Sequence, residues 1–325
     1  MLNKRAFLAG LCALGLTALQ APVQAPAHAA ETYPDKPVTY IVTFNPGGAS
    51  DIAARMQQKY FEKEAGTQAV IQYMPGGGGA QAWSRLNDME GDGYTIMGTN
   101  LPNNILQPMT GNVGYKTDDI NTVNLFQYTP NVVAVTPDSP FKTLNDLLDY
   151  AKKNPGALTF SGSGSKGGDE VMKERLDEAT GVKTTYIPFT GTTPATAALL
   201  GKQVNATVTY STEAVNQGDK LRILAVAAEE RLPSLPDAPT FKELGIDLVG
   251  GAYRGVGVPA STPEERRKQV SAIISKISNN PDFVNDMRKA GFVPIDVPYE
   301  EVPAFMAKQK DIISKVAARV GLTGN

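Results

Sequence analysis

Three glycine-rich stretches and one arginine carry the residue types that could bind or transform a small molecule. The first stretch is Phe44-Asn45-Pro46-Gly47-Gly48-Ala49-Ser50-Asp51. Its glycine pair leads straight into a helical pattern, so the free N–H groups of Gly48, Ala49 and Ser50 can face an anion. Ser50 or Asp51 is expected to cap that helix through its side chain. An ordinary tight turn with a capped helix fits the same residues, and the pattern leaves both open. The second stretch, Gly76–Gly79, fails as a dinucleotide loop: counted from Gly76, its last glycine position holds Gln81, and Met97–Leu101 lacks the acidic ribose partner. It reads as a turn at the mouth of a cleft. The third, residues 161–168 (SGSGSKGG), completes neither a P-loop, since Lys166 precedes Gly167, nor a nucleophile elbow. Ser163 and Lys166 do match Ser-x-x-Lys, but the chain has no Lys-Thr-Gly partner. Hydroxyls and glycines at a helix start suit a carboxylate, with Ser161, Ser163, Ser165, Lys166 and Gly168 as candidates. Arg254, in Gly250-Gly251-Ala252-Tyr253-Arg254-Gly255, opens an apolar strand and can clamp a carboxylate through its planar fork. A surface arginine on an edge strand is the alternative.

The elements that must position these loops alternate between strand and helix. Val38–Thr43 reads as a strand, followed by a helix with Ile52, Met56 and Tyr60 every fourth residue and Gly66 as its left-handed cap. Ala69–Tyr73 and Tyr94–Met97 are further strands, with a short helix around Ala80–Leu86. The style repeats in Asn131–Thr136, a helix capped by Thr143 or Asn145, Leu158–Phe160, Thr184–Ile187, Val204–Thr209, Leu221–Ala227 and Val256–Val258. The C-terminus is helical through Val302, Phe305, Ile313, Val316 and Val320. Such alternation predicts an α/β protein built from βαβ units with mainly parallel sheets. Two lobes are expected, with residues 30–134 and 250–325 in the first and 135–249 in the second.

Composition narrows the chemistry. Lys4 and Arg5, the apolar run Ala6–Ala21 and Ala27-His28-Ala29 read as a secretory signal peptide over residues 1–29. A membrane anchor is the alternative, disfavoured by the length of the run. Cleavage removes the one Cys (Cys12) and the one His (His28), which excludes Ser-His, Cys-His and imidazole or thiolate zinc chemistry from the mature chain. The chain holds 31 basic and 33 acidic residues, net −2, and loss of Lys4 and Arg5 makes it −4. An acidic chain without a basic cluster predicts no nucleic-acid partner. Asp118-Asp119 are adjacent on a turn and read as solvated. No cofactor and no metal is expected.

The chain is similar to the Bug-type receptors of tripartite tricarboxylate transporters. The likeness rests on Tyr33-Pro34-Asp35-Lys36-Pro37-Val38, on Phe44–Arg55, on Met74–Gly79, on residues 231–240 (RLPSLPDAPT) and on Pro259–Pro263. It implies a two-lobed periplasmic binding fold of the second type that closes on a carboxylate. It implies contacts from the loops at Asn45–Ser50 and Ser161–Gly168, from Thr99-Asn100, from Thr190-Gly191-Thr192 and from Ser211. It also implies membrane permease subunits as partners and no enzymatic activity. The chain departs from the family where Tyr253-Arg254 replace a customary Trp and where Lys166 stands in place of small residues and His. Both changes point to a ligand with a second anionic or polar end: a dicarboxylate, an acidic amino acid or an aromatic diacid. An exported Ser-Lys hydrolase and a co-receptor for a sensor kinase are the alternatives. A monomer is expected.

Overall fold

The computed structural model describes residues 33–322; the signal-peptide expectation lies outside them. Strands β1 (Val38–Val42), β2 (Ala69–Tyr73) and β3 (Thr95–Leu101) are parallel, in the order β2-β1-β3. Helix α1 (Ala49–Ala65) links the first two, and the four-residue α2 (Ala80–Trp83) lies before the third. Helix α3 (Asn103–Met109) follows. The 15-residue β4 (Asn121–Val135) then crosses from the first sheet into the second. The second sheet adds α4 (Leu144–Lys153), β5 (Thr159–Gly162), α5 (Gly168–Thr180), β6 (Thr185–Pro188), α6 (Thr192–Leu200), β7 (Ala206–Tyr210), α7 (Ser211–Gln217) and β8 (Arg222–Val226). The chain returns through β9 (Gly251–Val258) and ends with α8 (Glu264–Ser278), α9 (Pro281–Lys289), β10 (Val293–Val297) and α10 (Val302–Arg319).

β4 organises both lobes. Its residues Asn121–Pro130 pair antiparallel with β9, and Leu125–Tyr128 also pair with β10. Asn131–Ala134 pair with β7, and Val132–Val135 with β8. The sheets are therefore mixed, not mainly parallel as the sequence pattern predicts. β1, β2 and β3 are parallel, as are β5, β6 and β7, but the crossing and returning strands run against them. The sequence pattern missed α3, α6, α7, α8, α9, β10 and the first ten residues of β4. In β4 nearly every position is buried, so no alternation marks it as a strand.

Each sheet carries its own core. Val38, Tyr40, Ile96 and Val256 pack under Phe61, Ile274 and Phe283 of α1, α8 and α9. On the other face of the first sheet, Ile105 and Leu106 of α3 meet Ile313 and Ala317 of α10. In the second sheet Val133, Phe160 and Val208 pack against Leu147, Met172 and Leu176. The predicted punctuation is present at two helices. Gly66 closes α1 at φ 74°. Thr143 caps α4, its hydroxyl accepting from the Asp146 N–H at 3.2 Å while Asp146 reaches back to the Thr143 N–H. Thr143→Ala is expected to cost about 1 kcal/mol, measured as a lower denaturation midpoint with an unchanged slope.

Candidate functional site

The site grows from the first helix. α1 starts at Ala49, which puts Gly48 in the capping position, and no side chain caps the helix. Asp51 instead turns back to accept from the Gly47 N–H at 2.7 Å and from the Tyr73 hydroxyl at 2.7 Å. Ser50 faces away from the helix end, toward β9. The expected side-chain cap is therefore replaced by a bare N-terminus. Gly191 gives α6 a second uncapped N-terminus at Thr192, and a Cβ on Gly48 would lie 3.4 Å from the Thr192 Cβ. Two helix starts thus converge from the two sheets, each with free N–H groups and a partial positive charge.

Arg254 lies beneath them. It is 4% exposed, on β9 opposite Asn100 of β3 and Gln127 of β4. Its Nη1 donates to Thr129 Oγ1 at 2.6 Å and its Nε to Ser50 Oγ at 3.1 Å. The Asn100 side-chain oxygen, oriented to suit its neighbours, accepts from Arg254 Nε at 3.2 Å and from Ser50 Oγ at 3.3 Å. The Tyr210 ring centroid is 4.8 Å from the guanidinium carbon. No carboxylate among the described residues forms an ion pair with Arg254. Burial lowers its pKa; the neighbouring Tyr210, Asp169 and Tyr40 pull it back up. A desolvated guanidinium held only by neutral oxygens is a counter-charge for an anion.

The third loop supplies the opposite wall. Asp169, 1% exposed, accepts from the Ser163 N–H and hydroxyl, both at 2.7 Å, and from Asn131 Nδ2 at 2.9 Å. Ser163 is thus bonded to a carboxylate, not to Lys166. Burial pushes the Asp169 carboxyl above the ordinary range, opposed by its bonds from Ser163 and Tyr210 and by the charge of Arg254. A carboxyl with a raised folded pKa destabilises the fold when ionised. That cost is full above the folded pKa and is relieved as pH falls through it toward about 3.9, the unfolded value. The stability difference between Asp169→Asn and the parent is therefore expected to tilt toward the parent as pH drops from 8 to 4. A melting-temperature difference that stays flat over that range contradicts this.

These walls leave an enclosed space of about 10 Å3, bounded by Phe44, Gly48, Ala49, Ser50, Asn103, Ser163, Thr192, Tyr210 and Arg254. A neighbouring space of the same size is lined by Thr99 and Asn100 and shares Ser50 and Arg254. Outward lies a wider mouth of about 480 Å3, with Gly77, Gly78, Gln107, Gly164, Ser165, Lys166, Phe189 and Thr190 around it. Lys166, at φ 55°, forms no ion pair among the described residues; its N–H donates to Glu170. Three bonds latch the mouth: Asn45 Nδ2 to Thr190 Oγ1 at 2.9 Å, Thr193 Oγ1 to the Pro46 carbonyl at 3.1 Å, and Gln107 Nε2 to the Ser165 carbonyl at 3.3 Å.

Most of the predicted residues meet here, and a few do not. Gly47 touches Thr193 at the latch, and Gly168 abuts the Tyr210 hydroxyl. Ser161 is buried in the second sheet, its hydroxyl donating to the Ala195 carbonyl at 2.9 Å and lying 3.0 Å from Thr207 Oγ1. Ser211 donates to the Gly291 carbonyl at 2.6 Å, away from the cleft. Tyr253 alternates to the far face of β9, stacked 4.8 Å from Tyr128 and 5.1 Å from Phe305. Sequence reasoning missed Tyr210, Thr129, Asn131 and Asp169. Tyr210 ends a strand before a helix and Asp169 follows the Gly167-Gly168 pair, and both places are ligand positions in α/β sheets. Thr129 carried no signal because it lies in the first ten residues of β4, which were not recognised as strand; Asn131 opens the predicted strand Asn131–Thr136, but nothing in its type marked it as a partner of Asp169.

The tripartite tricarboxylate transporter family receptor model matches residues 53–322. A UPF0065 protein from the gbd 5' region of Cupriavidus necator is 31% identical over 316 residues, covering 95% of this chain and 94% of that one. The structure of the periplasmic binding protein BugD superposes with a TM-score of 0.83 at 26% identity, covering 90% of this chain and 100% of the other. MatC from Rhodopseudomonas palustris, solved with bound malate, superposes with a TM-score of 0.77 at 26% identity over 89% of this chain and 98% of that one.

Proposed function

The chain belongs to the tripartite tricarboxylate transporter receptor family, and on that footing we propose that it captures a small dicarboxylate between its lobes and delivers it to the membrane subunits of such a transporter. Members of this family are periplasmic solute-binding proteins, and no helix among the described residues is long and apolar enough to cross a membrane. Residues 1–29 act as the export signal in this proposal. Residues 30–134 and 250–325 form one lobe and 135–249 the other, turning about the strands that cross near Asn131 and Gly250.

The observation that carries the proposal is Arg254, a buried cation without a carboxylate partner at the floor of the cleft. One solute carboxylate sits on Arg254, Ser50 and the N–H groups that start α1 and α6. The second reaches outward to the mouth, where Lys166 supplies the charge. The MatC complex holds malate, itself a dicarboxylate. The enclosed space admits about one water, so the solute enters with the lobes apart, and the closed state is selected by contacts to both. Calorimetric titration with succinate and butyrate tests this. The parent is expected to bind succinate about tenfold more tightly, a difference of about 1.4 kcal/mol, and Lys166→Met to bring the two to parity. Failure to bind either acid contradicts the proposal.

A further inference from the structure

A second cavity, of about 230 Å3, lies on the other face of β9, between α5 and α10 and beside the crossing strands. Leu101, Tyr128, Val171, Met172, Tyr253 and Ile313 give it an apolar wall, and Ile312, 42% exposed, stands at its rim. One cation lines it. Arg175 donates from Nη1 to the Val249 carbonyl at 2.6 Å, and its Nε is buried with no hydrogen-bond partner among the described residues. The carboxylates nearest in charge are engaged elsewhere: Glu178 with Arg319 at 3.0 Å and Asp247 with Lys242 at 3.7 Å. Burial lowers the Arg175 pKa and the Arg319 charge adds to the effect, while Tyr128, Asp247 and Glu178 oppose it. The site faces away from Arg254, since Tyr253 and Arg254 alternate across the strand.

We propose that this cavity is a second binding site, separate from the cleft, for a small carboxylate with an aromatic body. The carboxylate meets the Arg175 guanidinium, and the ring packs against Tyr128 and Tyr253. An apolar cavity of about 150 Å3 accepts benzene, so 230 Å3 accommodates a ring with a carboxylate attached. A buried donor that gains an ionised acceptor supplies the specificity for an acid over its neutral analogue.

The test titrates the mature protein with benzoate and, as the neutral match, benzyl alcohol. Benzoate is expected to bind the parent and Arg254→Met alike. Val171→Trp, which fills the cavity, should weaken benzoate at least about tenfold. Arg175→Met should weaken benzoate by about the same factor while changing benzyl alcohol less than about twofold; this arm stands even where the tryptophan disturbs folding. Benzoate binding that disappears in Arg254→Met and survives Val171→Trp places the acid in the cleft and overturns the proposal. So does equal weakening of both probes by Arg175→Met, or a parent that binds no benzoate at millimolar concentration.

Discussion

Arg254→Met is expected to abolish dicarboxylate binding and yet raise the melting temperature of the free protein. The guanidinium is 4% exposed and pairs with no carboxylate among the described residues, so the charge of nearby Asp169 offsets only part of its desolvation. Methionine has similar reach and needs no hydration. The groups it abandons keep other partners: the Thr129 hydroxyl still donates to Gln127 Oε1 at 2.8 Å, and Ser50 still meets Asn100. The gain should be about 1 kcal/mol or more, near 3 °C for a protein of this size. Binding moves the other way. Losing a buried charged partner of a carboxylate costs about 2–5 kcal/mol, which is roughly 30-fold to several thousandfold in Kd. A variant that melts lower and binds normally would assign Arg254 to stability and remove it from the site.

Gly164→Val is expected to hold the lobes apart while leaving each lobe folded. Gly164 has φ 149°, and a Cβ there would stand 3.1 Å from the Cα of Gly78. That neighbour is backbone from the second glycine stretch, braced by Gln107 and Asn103 side chains that donate to the Gly77 and Gly78 carbonyls. Neither side can rotate away, so the branched side chain acts as a wedge at the mouth. Small-angle scattering should show the parent contracting when succinate is added and the variant remaining expanded. Affinity should fall about tenfold or more, because a solute that touches both lobes loses one set of contacts. The melting temperature of the free protein should change little, apart from about 1–2 kcal/mol of local backbone strain. Contraction equal to the parent's would show that the loops do not meet on closing.

The sequence announced the loops more clearly than the floor beneath them. Gly47-Gly48 before a helical repeat and the glycines of 161–168 mark places where backbone N–H groups stay free, and both line the cleft or its mouth. Arg254 stood out because a cation inside an apolar strand needs a reason. Thr129, which accepts from it, was hidden for a different reason: it sits in a strand buried on both faces, where period-two alternation vanishes. Ser161 and Ser211 show the reverse error. Both lie where a strand meets a helix, but their hydroxyls turn to the Ala195 and Gly291 carbonyls, and residue type alone does not give a rotamer. The mixed sheets have the same root. Helical crossovers between β1, β2 and β3 predict parallel pairing, whereas a strand that serves two lobes must meet the returning chain head-on.

The account rests on a carboxylate receptor, and thermal unfolding with and without solute tests that most directly. Mature protein, unfolded and refolded to remove carried-over ligand, is melted with aliphatic mono-, di- and tricarboxylates, acidic amino acids and aromatic acids. A solute present at about 100 times its Kd stabilises the folded state by roughly 2.7 kcal/mol, a shift of several degrees. The predicted result is a clear upward shift with dicarboxylates that is absent in Arg254→Met. No shift with any carboxylate would contradict the account.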